Sequence, residues 1–184
     1  KGKTFFLVGS DYIYPRTCNK IAKPTVTKLG GKVVGEEYAP LGHTEFSSII
    51  NKIKAAKPDC IYSTVVGGSN VAFYKQLRAA GLDGTKITLL STVVSENEID
   101  GIGKDNAVGY YACMGYFQSL DNPQNTKFIK ALKAKYGEDR VAQRVDVGLR
   151  ELVDQPRLDR IGRPDARVAV RLELEPAGAV LFHE

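Results

Sequence analysis

Short apolar runs alternate with stretches of helical period all the way from residue 4 to residue 137, and this alternation confines the chain to a parallel sheet covered by helices. Residues 4–8 are a run closed by Gly9, Ser10 and Asp11, as expected of a strand buried on both faces. A helix is expected next, with Pro15 in its first turn, Cys18, Ile21, Ala22 and Leu29 on its apolar face, and Gly30-Gly31 at its end. Pro24 falls inside it and predicts a kink, because a missing backbone donor costs about 3 kcal/mol.

The pattern then repeats. Residues 32–38 read as a strand, and Phe46, Ile49, Ile50, Ile53 and Ala56 form a helical stripe. Residues 59–66 read as a third strand, and residues 71–80 as a helix packing Phe73, Leu77 and Ala80 before Gly81. Residues 86–91 are the fourth strand, followed by a capping-box pattern at Ser95 and Glu98 that opens a short helix bearing Ile99 and Ile102. Residues 107–117 are the expected fifth strand. A last helix starts at the N-cap Asn122 with Pro123 behind it, packs Phe128, Ile129 and Leu132, and stops at Gly137. Five βα units in series predict an α/β fold with helices on both faces of the sheet, in the flavodoxin-like order 2-1-3-4-5.

In such sheets ligands bind beyond the carboxyl ends of the strands, where the winding reverses, here between the first and third strands. The loops at that point offer hydroxyls on Ser10, Tyr12, Tyr14, Thr64 and Ser69, a carboxylate on Asp11, and the backbone of Val65, Val66 and Gly67. Donors and acceptors together suit a small neutral amide. Two bland alternatives stand beside this: Ser10 and Asp11 as helix caps with the tyrosines packed as core, and Gly67-Gly68-Ser69 as an anion cradle, which lacks the lysine of a phosphate loop.

With 43% hydrophobic residues in 184, the chain can bury a real core. Its net charge of +5 is dispersed among acids, which excludes a nucleic-acid stripe. No apolar stretch reaches the roughly 18 residues needed to span a bilayer. Cys18, Cys60 and Cys113 lack C-x-x-C spacing, so neither disulfides nor zinc are indicated and buried small hydrophobes are expected. With His43 and His183 as the two histidines, and neither an H-E-x-x-H nor a G-x-S-x-G pattern, the reading is a non-enzyme without metal or cofactor.

Composition changes near residue 140. From there on every basic residue is Arg, and Ser, Thr, Asn and Tyr are absent. A second domain, a linker and a segment read in an altered frame all fit, the last best, although residues 168–174 alternate like a strand. The expected division is a lobe over 1–139 and an atypical tail over 140–184. The chain enters its first strand without the progression of a secretory leader, so a leader is expected to have been removed or the start to be missing.

The motif Leu7-Val8-Gly9-Ser10-Asp11-Tyr12-Ile13-Tyr14-Pro15-Arg16 resembles the amide- and urea-binding branch of the type I periplasmic binding proteins. Leu41-Gly42-His43-Thr44-Glu45-Phe46, the stretch from Ser63-Thr64-Val65-Val66-Gly67-Gly68-Ser69-Asn70 to Tyr74, and Gly109-Tyr110-Tyr111-Ala112 with the following Tyr116-Phe117-Gln118-Ser119-Leu120-Asp121 resemble the urea-transporter subunit. The resemblance covers residues 1–139 and implies the second of two lobes that close on a solute, with the first lobe missing. It implies that Tyr12 reaches the amide and that the Thr64–Gly67 loop lines the same cleft, while Asp11, Thr92 and Phe117 join the candidates on position alone. Pro24 and the segment after Arg140 depart from the family pattern. The implied function is capture of urea or a short amide in the periplasm and delivery to a membrane ABC permease. The alternatives are a cytoplasmic amide sensor controlling an amidase operon and a branched-chain amino-acid binding protein.

Overall fold

The computed structural model describes residues 2–137 together with the strands Val168–Leu174 and Val180–His183. The remainder of the expected tail, and with it most of the arginine-rich stretch, lies outside the described residues.

Five strands come in the expected order. They are β1 (Thr4–Ser10), β2 (Lys32–Ala39), β3 (Cys60–Thr64), β4 (Thr88–Ser91) and β5 (Tyr111–Met114), arranged β2-β1-β3-β4-β5 with every adjacent pair parallel. The strand expected at residues 168–174 is present as β6 (Val168–Leu174), which pairs antiparallel with β7 (Val180–His183) and extends the sheet beyond β5.

Helix α1 (Ile13–Lys28) joins β1 to β2, α2 (Ser47–Ala56) joins β2 to β3, and α3 (Ser69–Ala79) joins β3 to β4. Two short helices, α4 (Glu96–Ile102) and α5 (Lys104–Ala107), precede β5, and α6 (Pro123–Tyr136) follows it. Alternation along β1 sends Phe6 and Val8 into a core shared with Ile49, Ile50 and Ile53 of α2 and Phe73 and Leu77 of α3. The other face of β1 meets α1, since a Cβ on Gly9 would lie 2.7 Å from the Pro15 ring. Within the core Phe46, Phe73, Tyr74 and Tyr110 stack in series, with ring centroids 5.0, 6.1 and 5.5 Å apart. Each such pair adds about 1 kcal/mol beyond its buried area. Burial holds the phenols of Tyr74 and Tyr110 well above the usual tyrosine range, and pushes the Cys60 thiol up to about 11.

Several local expectations hold. Glu98 closes the capping box on Ser95, and the Asn122 side chain accepts the Asn125 amide at 2.9 Å. Others need correction. The buried residues of α1 are Pro15 and Asn19, with Cys18 and Ala22 half-buried beside them, whereas Ile21 and Leu29 stand 63% and 82% exposed, so the apolar face read from the sequence is right at two of its four positions. Polar partners on β2 draw Asn19 inward: its carboxamide donates to the Tyr38 hydroxyl at 3.0 Å. Pro24 stands inside α1, as expected, and the helix runs on from it to Lys28.

The fifth strand is shorter than expected. Residues 104–107 are helical, and Gly109 at φ +84° presses against Gly84, whose Cβ would lie 2.5 Å from the Gly109 backbone. That crossing forbids an extended strand before Tyr111. At the other end the chain divides into two compact units, residues 1–114 with 169–184, and residues 115–168. Within the second, Leu132 packs with Tyr116 and Phe128.

Candidate functional site

The winding reverses at β1, which has β2 on one side and β3 on the other, with Gly9 opposite Thr64 in the ladder. The loops leaving β1 and β3 therefore emerge side by side, as the sequence predicted.

Side chains join these loops from within. The buried Ser10 hydroxyl accepts the Val66 amide at 3.1 Å, and the buried Thr64 hydroxyl donates to the Val8 carbonyl at 3.3 Å. Both hydroxyls thus tie the two loops together, and Val65 beside them is fully buried in the core. The loop after β4 joins in turn: the Thr92 amide donates to the Ser63 carbonyl at 3.3 Å, and the Tyr14 and Thr92 hydroxyls are 3.3 Å apart. Three successive strand ends, β1, β3 and β4, are linked by these contacts. Tyr12 lies beside Tyr14, with ring centroids 6.2 Å apart.

At the opening stand Tyr12, Val66 and Thr92, half-buried, together with Asp11, Tyr14 and Gly67, exposed. Burial raises the Tyr14 phenol above its ordinary value against the opposing Thr92 hydrogen bond, with Cys18 and Tyr12 adding to the rise. It is accordingly a neutral donor at physiological pH. Phe117 is fully buried and belongs to the second compact unit.

The capping alternative for Ser10 and Asp11 fails. The N-cap of α1 is Tyr12, without a side-chain cap bond, and the Asp11 carboxylate instead takes the Arg16 guanidinium at 2.7 Å. Beyond this ion pair, the β1–α1, β3–α3 and β4–α4 loops carry no charged residue before the first helical position. Sequence reasoning missed Arg16 and two exposed apolar side chains just past strand ends, Ile13, 78% exposed, and Leu41, 60% exposed. Among the described residues no cluster of three metal-ligating side chains exists, and no helix is long and apolar enough to cross a membrane.

Comparison with known proteins agrees with this architecture. A family model described as a periplasmic binding protein domain matches residues 1–147. A Leu/Ile/Val-binding protein homolog of Brucella melitensis is 28% identical over 138 residues, covering 73% of this chain and 35% of its own length. A solute-binding protein of an ABC transporter from Rhodopseudomonas palustris, solved with p-hydroxybenzoic acid, superposes with a TM-score of 0.67 at 28% identity, over 74% of this chain and 38% of its own. A limonene hydroxylase of Geobacillus stearothermophilus is 46% identical over only 44 residues, 8% of its length. This chain spans little more than a third of the solute-binding relatives it matches. Its parallel lobe, its reversed strand order and the family match make this chain a member of the type I periplasmic binding proteins.

Proposed function

We propose that this chain is the second, ligand-contacting lobe of a binding protein that captures a small neutral polar solute, urea or a short-chain amide, by lobe closure. The solute is then delivered to an ABC permease, and the protein works in the periplasm as its family does. It performs no catalysis. The ligand contacts assigned are Tyr12, Tyr14 and Thr92, with the Val66–Gly67 backbone; the exposed Ile13 and Leu41 are apolar rim against which the other lobe closes.

One observation carries the choice of solute: the charged pair of the β1–α1 turn cancels, and the β3–α3 and β4–α4 loops add no charge before their helices. An amino acid brings an ammonium group, which needs an anion once water is excluded, and an aromatic acid brings a carboxylate, which needs a cation. The Asp11 carboxylate and the Arg16 guanidinium beside the β1–α1 turn are bonded to each other at 2.7 Å. What remains is a set of hydroxyls and backbone amides, matched to a group that both donates and accepts.

Calorimetry on the intact gene product, titrated with urea, acetamide, formamide, leucine and p-hydroxybenzoate, tests the reading. Binding of urea or an amide supports it. Binding of leucine alone overturns the amide assignment and leaves the family membership standing. The sensor alternative rests on the same Gly9–Pro15 motif, and a secretory leader at the start of the intact gene would eliminate it.

A further inference from the structure

We propose that Arg16 is a positioning residue for the site: its guanidinium, held between the Asp11 carboxylate and the face of Tyr38, fixes the turn that presents Tyr12 and Tyr14. This rests on the solute-binding reading above only for the consequence it has on affinity.

The geometry is that of a clamp on one turn of backbone. The Arg16 Nε donates to Asp11 Oδ1 at 2.7 Å, while the guanidinium carbon stands 4.4 Å from the Tyr38 ring centroid. Its own amide donates to the Tyr12 carbonyl at 3.3 Å. Arg16 therefore grips the residues on either side of the Asp11–Tyr12 peptide, one through its side chain and one through its backbone. The Asp11 amide is fastened to the end of β2, donating to the Ala39 carbonyl at 2.7 Å.

The Tyr38 ring on which Arg16 rests is itself fixed. Its hydroxyl donates to Glu36 at 2.6 Å and accepts from Asn19 at 3.0 Å, and Glu36 pairs with Lys23 of α1. Strand β2 thereby sets the guanidinium, and the guanidinium sets the turn. An exposed ion pair contributes little alone. Stacked on an aromatic face and shared with a tight turn, the same group removes conformational freedom from residues that must be ordered for binding.

Lysine cannot replace it, because an ammonium does not stack flat and donate sideways at once. The test uses the full 184-residue chain without ligand, following amide hydrogen exchange in Arg16→Gln, Arg16→Lys, Tyr38→Leu and Tyr38→Phe. Arg16→Gln and Tyr38→Leu are expected to speed exchange at Asp11 about tenfold, with the amides of α2 and β3 unchanged; Arg16→Lys is expected to behave like Arg16→Gln, and Tyr38→Phe, which keeps the ring, like the parent. Exchange at Asp11 that stays at the parental rate in Arg16→Gln, or that rises equally throughout the lobe, overturns the proposal.

A second arm measures affinity in the intact gene product for whichever solute the calorimetry identifies. Arg16→Gln should weaken it about fivefold, with Tyr38→Phe within about twofold of the parent; unchanged affinity in Arg16→Gln overturns the link to binding. Because exchange is read without a solute, a failed amide assignment leaves this result intact, and a failed clamp leaves the amide assignment intact.

Discussion

The two loops at the mouth of the lobe follow opposite plans. The β1–α1 turn adds side-chain ties, through Asp11 to Arg16, Ser10 to Val66 and Tyr14 to Thr92, to its backbone bond from Asp11 to Ala39. The β3–α3 turn is fixed by backbone, with Gly67 at φ +60° and the Asn70 and Val71 amides bonded to the Gly67 and Gly68 carbonyls. A Cβ on Gly67 or Gly68 would meet nothing within 4 Å. One loop therefore aims functional groups, and the other keeps space open beside them.

The seam between these plans should be the most sensitive point. A Cβ on Gly9 would lie 2.6 Å from the Thr64 hydroxyl and 2.7 Å from Pro15, so Gly9→Val is expected to cost about 3 kcal/mol by overpacking both sides at once. Guanidinium chloride unfolding measures this without using urea, a candidate solute. A loss below about 1 kcal/mol would mean that the two loops are not in fact locked together there.

Ser10→Ala ranks next. It strips the buried tie between the loops and leaves the Val66 amide without its partner, at about 1.5 kcal/mol in the same assay. Gly67→Ala should cost about 1 kcal/mol, from left-handed backbone alone since nothing crowds the site. If it costs more than Ser10→Ala, the backbone loop is packed and the contrast drawn above is wrong.

The smallest effect is expected at Tyr14. A phenol whose folded value is raised above its ordinary 10.0 adds stability that is complete below that pH and is lost as pH rises through the folded value. A phenolate absorbance titration of the parent against Tyr14→Phe should therefore show one transition displaced to the alkaline side. Unfolding midpoints of the two should agree near neutrality and separate above pH 10, where the parent loses stability that Tyr14→Phe keeps.

Most of the fold was legible because each strand and helix is announced locally, by an apolar run, a stripe such as Ile49-Ile50-Ile53, or a cap such as Asn122. The place where the winding reverses was legible too, since the βα repeat fits the order 2-1-3-4-5 that the sheet adopts. The division of labour within it was not. Ser10 and Thr64 look like ligand hydroxyls in sequence, yet both are turned inward, because their strand neighbours present a free amide and a carbonyl. Helix α1 misled in part, at Ile21 and Leu29, for a related reason. Asn19 is buried by what faces it from β2, and periodicity along one segment carries no information about the segment opposite.

The crossing of Gly84 and Gly109 lies away from the strand ends where a solute would enter, yet it permits only a hydrogen atom on either partner. No change at one position can make room for a change at the other, since both backbones already touch. In a library of random variants these two sites should therefore emerge as fixed as any binding residue, and a map of mutational tolerance alone would mistake a steric bottleneck for part of the recognition surface.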